Sequence, residues 1–164
     1  MPKRIAFDKN EYHKIASKEC FICNIVNGGE KRNEHVIIDE TTDYIAFLNN
    51  YPTQAGQILV CPKKHVRHIF KDLSEDKYSE LFSYAKKIGT AVQKALDADR
   101  MYLASLGSNE LNDHVHLHIF PLPPNIPFEE QQFEALNHHK RGILEMTKEE
   151  KQELAEKIKQ KING

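Results

Sequence analysis

The chain has 164 residues, 40% hydrophobic and 29% charged, an ordinary balance for one soluble domain with a short appendage. Lys and Arg number 23 against 24 Asp and Glu, a formal net charge of −1, which argues against a protein held on nucleic acid by general charge. No apolar run approaches the ~18 residues needed to cross a membrane, and the opening residues lack the apolar stretch of a secretory leader, so neither nucleic acid nor membrane is an expected partner.

Residues 1–19 read as a polar N-terminal extension with a helical turn around Glu11–Ser17. Phe21, Ile22, Ile25 and Val26 predict a short amphipathic helix, stopped by Asn27-Gly28-Gly29. Three short runs rich in β-branched and aromatic residues follow: Val36–Ile38, Tyr44–Leu48 and Gln57–Cys61. Turn residues separate them, and Pro62 closes the third. Ser74 caps a long helix predicted over Glu75–Asp97, whose apolar residues keep three-four spacing along one face. Strands are predicted at Met101–Leu106 and His114–Phe120, joined by a hairpin turn at Gly107–Asp113. Pro121, Pro123, Pro124 and Pro127 then force an extended exit. Phe128–His138 reads as helix, and Thr147-Lys148-Glu149-Glu150 is a capping box that opens a charged C-terminal helix.

Strands dominate and the helices are inserted rather than strictly alternating. That predicts an α+β fold with a mainly antiparallel sheet. The core domain spans residues 20–124, and residues 125–164 form a C-terminal helical extension packed on or near it.

Cysteine usage bears on compartment. There are three cysteines, an odd number, and two lie close together, which favours a reducing, cytoplasmic setting and metal binding over a disulfide framework. Cys20-Phe21-Ile22-Cys23 brings two sulfurs to one ion. Taken alone, the pair reads as redox, half a zinc site or chance. His65 and His68 are local partners that would close a structural site with it. Cys61, inside an apolar run, reads as a buried free thiol.

Histidine is the surplus residue: nine in all, three of them in His114-Val115-His116-Leu117-His118. On a strand, alternate side chains share a face, so the three imidazoles point one way and Val115, Leu117 and Ile119 point into the core. Strict alternation of an uncommon residue is poorly explained by a half-buried strand that happens to carry histidine. Three ligands on one flat strand rarely converge on one ion. A neutral imidazole used as a nucleophile fits better, because histidine is half deprotonated near pH 6.5. His13, His35, His138 and His139 read as solvated side chains.

The run resembles the signature of the histidine triad superfamily of nucleotide hydrolases and transferases. Phe47-Leu48-Asn49-Asn50-Tyr51-Pro52 and Gly56 to His65 are similar to that family's strand–turn–strand before its helix. The resemblance covers about Cys20 to Pro121. It implies a five-stranded, mainly antiparallel sheet with one long helix, and a homodimer. It implies His116 as the nucleophile at the α-phosphorus and His118 as its partner at the phosphate oxygens and leaving group. Asn49 then falls at the ribose. Phe21, Ile22, Ile25 and Phe47 form an apolar wall for the base, and the backbone near Gly107 and Ser108 stabilises developing charge. The relatives' ligand set maps to Cys20, Cys23, His65 and His114, a structural zinc site.

The implied activity is hydrolysis of a nucleotide phosphoanhydride or phosphoramidate, with a dinucleoside polyphosphate such as diadenosine tetraphosphate as substrate. Nucleotidyl transfer or phosphorolysis is the alternative within the family. A zinc-stapled nucleotide-binding protein without turnover is the alternative outside it. The chain departs from the family at Gln57, where a His is usual, and in the short loop Gly107–Asp113, where Leu111 stands in place of a hydroxyl residue.

Overall fold

A computed structural model describes residues 3–164; the first two residues of the N-terminal extension lie outside the described residues. The chain begins with strand β1 (Lys3–Ile5) and helices α1 (Lys9–Ala16), α2 (Phe21–Val26) and α3 (Glu30–Glu34). Strands β2 (Ile37–Glu40), β3 (Tyr44–Leu48) and β4 (Ile58–Pro62) precede the long helix α4 (Glu75–Leu96). Strands β5 (Arg100–Ser105) and β6 (Leu117–Leu122) follow, then short helices α5 (Phe133–Leu136) and α6 (His138–Arg141), strand β7 (Ile143–Glu145) and helix α7 (Lys148–Asn163).

The five-stranded antiparallel sheet has the order β2-β3-β4-β6-β5, in agreement with the expected α+β class. Its central strands are covered on both faces. Tyr44, Ala46 and Leu48 of β3 join Ile58, Val60, Leu117 and Ile119 on one face, where Leu81, Ile88 and Val92 of α4 pack on them. Ala155 and Ile158 of α7 enter the same cluster. Ile45, Phe47, Leu59 and Cys61 form the opposite face under Ile22 and Ile25 of α2. This follows from the period-two alternation of strand side chains, with both sets apolar.

Local chemistry sets the helix ends. The Ser74 hydroxyl accepts from Lys77 N–H at 3.3 Å, and Asp97 closes α4 in the left-handed conformation. Thr147 and Glu150 cap α7 reciprocally, as the sequence predicts. Gly56 has φ +84°, a backbone conformation that glycine adopts without strain, at the turn that leads into β4.

Three expectations are corrected. The last strand begins at Leu117, not His114. β5 ends opposite Leu117, at Ser105, and the Val115 N–H bonds Val66 O instead of a strand neighbour. The same strand runs on through Pro121 to Leu122, because there it has passed its pairing with β4 and needs one neighbour only. The helix expected over Phe128–His138 is broken at Gln132, whose φ is +54° and whose N–H is held by the Tyr102 hydroxyl at 3.1 Å. Neither β1 nor β7 has a local signal; they pair antiparallel with each other, Lys3 opposite Glu145 and Ile5 opposite Ile143.

Glu40 ties three elements together. It binds Arg32 of α3 at 2.6 Å and Lys63 after β4 at 2.8 Å. Those two cations hold its carboxyl at about 2, well below the ordinary carboxylate value. A depressed carboxylate contributes stability above its unfolded pKa and loses it as pH falls through the folded one. Glu40→Gln is therefore expected to lower the melting temperature at pH 7 by roughly 2–4 °C, for a pair network worth about 1 kcal/mol. The difference between variant and parent should vanish between about pH 4.5 and pH 2. A difference that persists at pH 2 would show that packing, not charge, causes the loss.

Candidate active site and metal cluster

The three histidines of the run do different things, because each spends one ring nitrogen on a different partner. His114 Nε2–H donates to Pro62 O at 2.8 Å, which turns the Nδ1 lone pair toward Cys20 at 3.4 Å and Cys23 at 3.5 Å. His116 Nδ1–H donates to His114 O at 2.7 Å, which leaves the Nε2 lone pair for the cavity that His116 lines. His118 Nδ1 faces the Gln57 amide at 3.3 Å. Since Gln57 Oε1 already accepts from Thr53 N–H at 3.0 Å, the Gln57 NH2 is the donor and His118 carries its proton on Nε2. Gln57 thus does by hydrogen bonding what its place in the sequence left open.

Burial keeps both inner imidazoles neutral. His116 is lowered from the ordinary histidine value by desolvation, partly offset by its bond to His114 O. His118 is pushed down to about 3 by desolvation first, then by His116 and His138. The two rings lie 4.9 Å apart, and His118 stacks on Phe120 at 5.4 Å. A neutral nitrogen lone pair beside a neutral N–H sets a potential nucleophile next to a hydrogen-bond donor.

On the other side of His114, the ligand atoms of Cys20, Cys23, His65 and His114 all lie within 4.8 Å of one another. Cys23 Sγ is 3.2 Å from His65 Nδ1. Tetrahedral zinc with Zn–S of about 2.3 Å and Zn–N of about 2.0–2.1 Å places sulfur and nitrogen roughly 3.5–3.6 Å apart, so the donors fit the ion in type and in spacing. Both imidazoles are oriented from behind: His114 by Pro62 O, His65 by Asp113 at 3.5 Å, which Arg67 grips at 2.8 Å. Without a cation the Cys23 thiol is pushed up to about 11, by burial first and then by the Cys20 sulfur and Asp113. His68 stands outside this group; its backbone N–H is bound by Asp72.

The cavity beside His116 has a volume of about 470 Å³. Phe21, Asn49, Gly107, His116 and His118 line it, together with Gln57. The Asn49 side-chain Oδ1 accepts from Tyr51 N–H at 2.9 Å, which leaves its NH2 for a ligand. Gly107 has φ +140°; a Cβ there would strike Asn112 O and approach His116 Cε1. Ile22 and Phe47 do not reach the cavity: both are fully buried and back its wall from the core. Ser108 is also absent from it, because its hydroxyl is used inside the loop, with Leu111. Two histidines read as solvated are part of the wall. His35 packs between Phe21 and Phe47 at 5.9 and 5.2 Å, and His138 sits edge-on to Phe7 at 4.3 Å. No local pattern marks either one; tertiary packing brings them in.

Comparison with known proteins agrees with this geometry. The family described as HIT domain matches residues 30–125. An uncharacterised HIT-like protein of Saccharolobus solfataricus is 32% identical over 79% of this chain and 98% of its own length. The adenosine 5′-monophosphoramidase hnt1 of Schizosaccharomyces pombe is 31% identical over 71% of this chain and 92% of its own. A bis(5′-adenosyl)-triphosphatase of Dictyostelium discoideum is 32% identical over 46% of this chain and 52% of its own. Among solved structures, a hypothetical histidine triad nucleotide-binding protein from Sulfolobus tokodaii superposes with a TM-score of 0.70 at 27% identity, covering 88% of this chain and 92% of that one.

The tautomers are measurable. Long-range ¹⁵N–¹H correlation spectra are expected to show a bare Nε2 on His116 and a bare Nδ1 on His118, the two reversed with respect to each other. His118 should stay neutral down to about pH 4, since its pKa lies near 3. The same tautomer on both rings would contradict the assignment of the Gln57 amide.

Proposed function

The chain belongs to the HIT-domain family, and on that footing we propose that it is a nucleotide hydrolase acting through a nucleotidyl-histidine. The observation that carries the reading is His116, whose Nδ1–H is fixed on His114 O and whose Nε2 is left for the cavity. Nε2 attacks the α-phosphorus of a dinucleoside polyphosphate such as diadenosine tetraphosphate, and the bond to the bridging oxygen breaks. The departing nucleotide leaves as its phosphate anion, and the His118 Nε2–H stays on the ring and donates a hydrogen bond to the oxygen that takes up the charge. Water then attacks the same phosphorus, the P–N bond breaks to return His116 to its neutral form, and the protons of the water are released to solvent. The net result is AMP and ATP from one dinucleotide and one water. Asn49 holds the ribose, Phe21 faces the base with Ile22 and Phe47 behind it, and the loop at Gly107 lies along the phosphates. Two relatives support an adenosine 5′-phosphate substrate by their names, one for a triphosphate bridge and one for a phosphoramidate.

The cysteine–histidine cluster holds zinc in this reading. Four nitrogen and sulfur ligands close the coordination sphere, so its contribution is structural: it ties α2 to the segment entering β6. A homodimer fits the sheet, since β5 is an outer strand, and Leu103 on it and Leu106 just beyond it are each 50% exposed. No helix among the described residues is long and apolar enough to cross a membrane, and reduced zinc-bound cysteines suit the cytoplasm.

Incubation with diadenosine tetraphosphate should add one adenylyl group to the intact mass, and His116→Ala should abolish both that shift and turnover, by at least about 10³-fold. More than a tenth of the activity remaining in His116→Ala would defeat the mechanism. ADP formed only when inorganic phosphate is supplied would move the chain to the phosphorylases.

Elemental analysis should find one zinc per chain. Cys20→Ser is expected to lose it and melt lower, while still forming the nucleotidyl-enzyme when folded. His68→Ala should keep its zinc. Zinc retained in His114→Ala and lost in His68→Ala would contradict the ligand set.

A further inference from the structure

The cavity has a second aromatic end, built largely from segments outside the HIT-domain match. Phe7, Tyr12 and Tyr51 pack on one another with ring centroids 5.4, 5.8 and 5.0 Å apart, and two of the three pairs are edge-on. Phe7 comes from the link between β1 and α1, Tyr12 from α1 and Tyr51 from the turn after β3. His138 closes the group, edge-on to Phe7. All four line the same cavity as His116 and His118. None of them belongs to either apolar cluster of the core, so packing of the sheet does not account for them.

The wall is held in place before any ligand arrives. β1 pairs with β7, and Arg4 donates to Thr53 O at 2.9 Å. The Tyr12 hydroxyl meets the Asn112 amide at 2.5 Å, on the loop that leads to the histidine run. Ordering that a ligand would otherwise have to impose is already in place, which favours affinity. Clustered aromatic faces of this kind stack on nucleobases, with no demand on which base is present. The wall also shares its cavity with His118, the group placed at the leaving nucleotide.

We infer that Phe7, Tyr12, Tyr51 and His138 form a leaving-group subsite for a second aromatic base. The chain would then favour nucleotides whose leaving group carries a nucleoside over those that release only a small amine. The inference rests on the reading that His116 takes the first nucleotide.

The test compares kcat/KM for diadenosine tetraphosphate with kcat/KM for adenosine 5′-phosphoramidate. Both would donate the same adenylyl group, so their ratio isolates the leaving group. Tyr51→Ala and Tyr12→Ala are each expected to lower that ratio about tenfold, the scale of one lost base–aromatic stack. Tyr12→Phe keeps the ring and loses only the bond to Asn112, so it should lower the ratio less than threefold. A ratio unchanged in both alanine variants, or equal losses on the two substrates, would overturn the subsite while leaving the hydrolase reading intact. An equal fall in Tyr12→Phe and Tyr12→Ala would assign Tyr12 only to holding the loop through Asn112 and would also overturn it. If the unmutated chain cleaves neither nucleotide, the hydrolase reading fails and the subsite falls with it.

Discussion

A neutral imidazole has one N–H and one lone pair, so whatever binds one nitrogen decides what the other can do. The site depends on this constraint. Pro62 O accepts from His114 Nε2–H and turns its Nδ1 toward the cysteines; His114 O accepts from His116 Nδ1–H and leaves its Nε2 for the cavity; the Gln57 NH2 donates to His118 Nδ1 and leaves its Nε2–H as a donor. Two of the three partners are backbone carbonyls, which side-chain substitution cannot remove. The third is a side chain, and its orientation is set in turn by Thr53 N–H.

That arrangement requires the residues before β6 to be extended without being paired. His114 and His116 lie outside the ladder, where no strand neighbour competes for their carbonyls. The segment is fixed instead by Val66 O and by the cysteine–histidine cluster. α2, with six residues, is far too short to be stable alone, and packing of Ile22 and Ile25 gives it one anchor. The four convergent donors supply a second, at the point where α2 meets the histidine run. His114 in the cysteine–histidine cluster and His116 on the cavity therefore sit back to back, two residues apart and facing different partners.

The termini matter for the same cavity. The β1–β7 pair joins residues 3–5 to residues 143–145, and the segments inside that closure carry Phe7, Tyr12 and His138. α7 lies on the opposite face of the sheet, where Ala155 and Ile158 complete the core over β3 and α4. One extension thus serves two faces: its first part walls the cavity, and its last helix finishes the core.

Much of this was legible in the amino-acid sequence, because it rests on local periodicity and short-range caps. The long helix with its Ser74 cap, the Thr147 capping box, strand β3 and the antiparallel sheet all follow from patterns within a few residues. So does the histidine alternation, since period two survives in any extended segment, paired or not. The cysteine spacing pointed to a metal, but the choice between His68 and His114 did not lie in spacing; it depended on a fold that brings residue 114 beside residue 20. The tertiary structure alone decided which of His35, His138, Ile22 and Phe47 touch the cavity, because exposure is set by what packs from elsewhere in the chain. It alone decided the break at Gln132, held by Tyr102 thirty residues away, and the β1–β7 pair, whose three-residue strands have no pattern long enough to read.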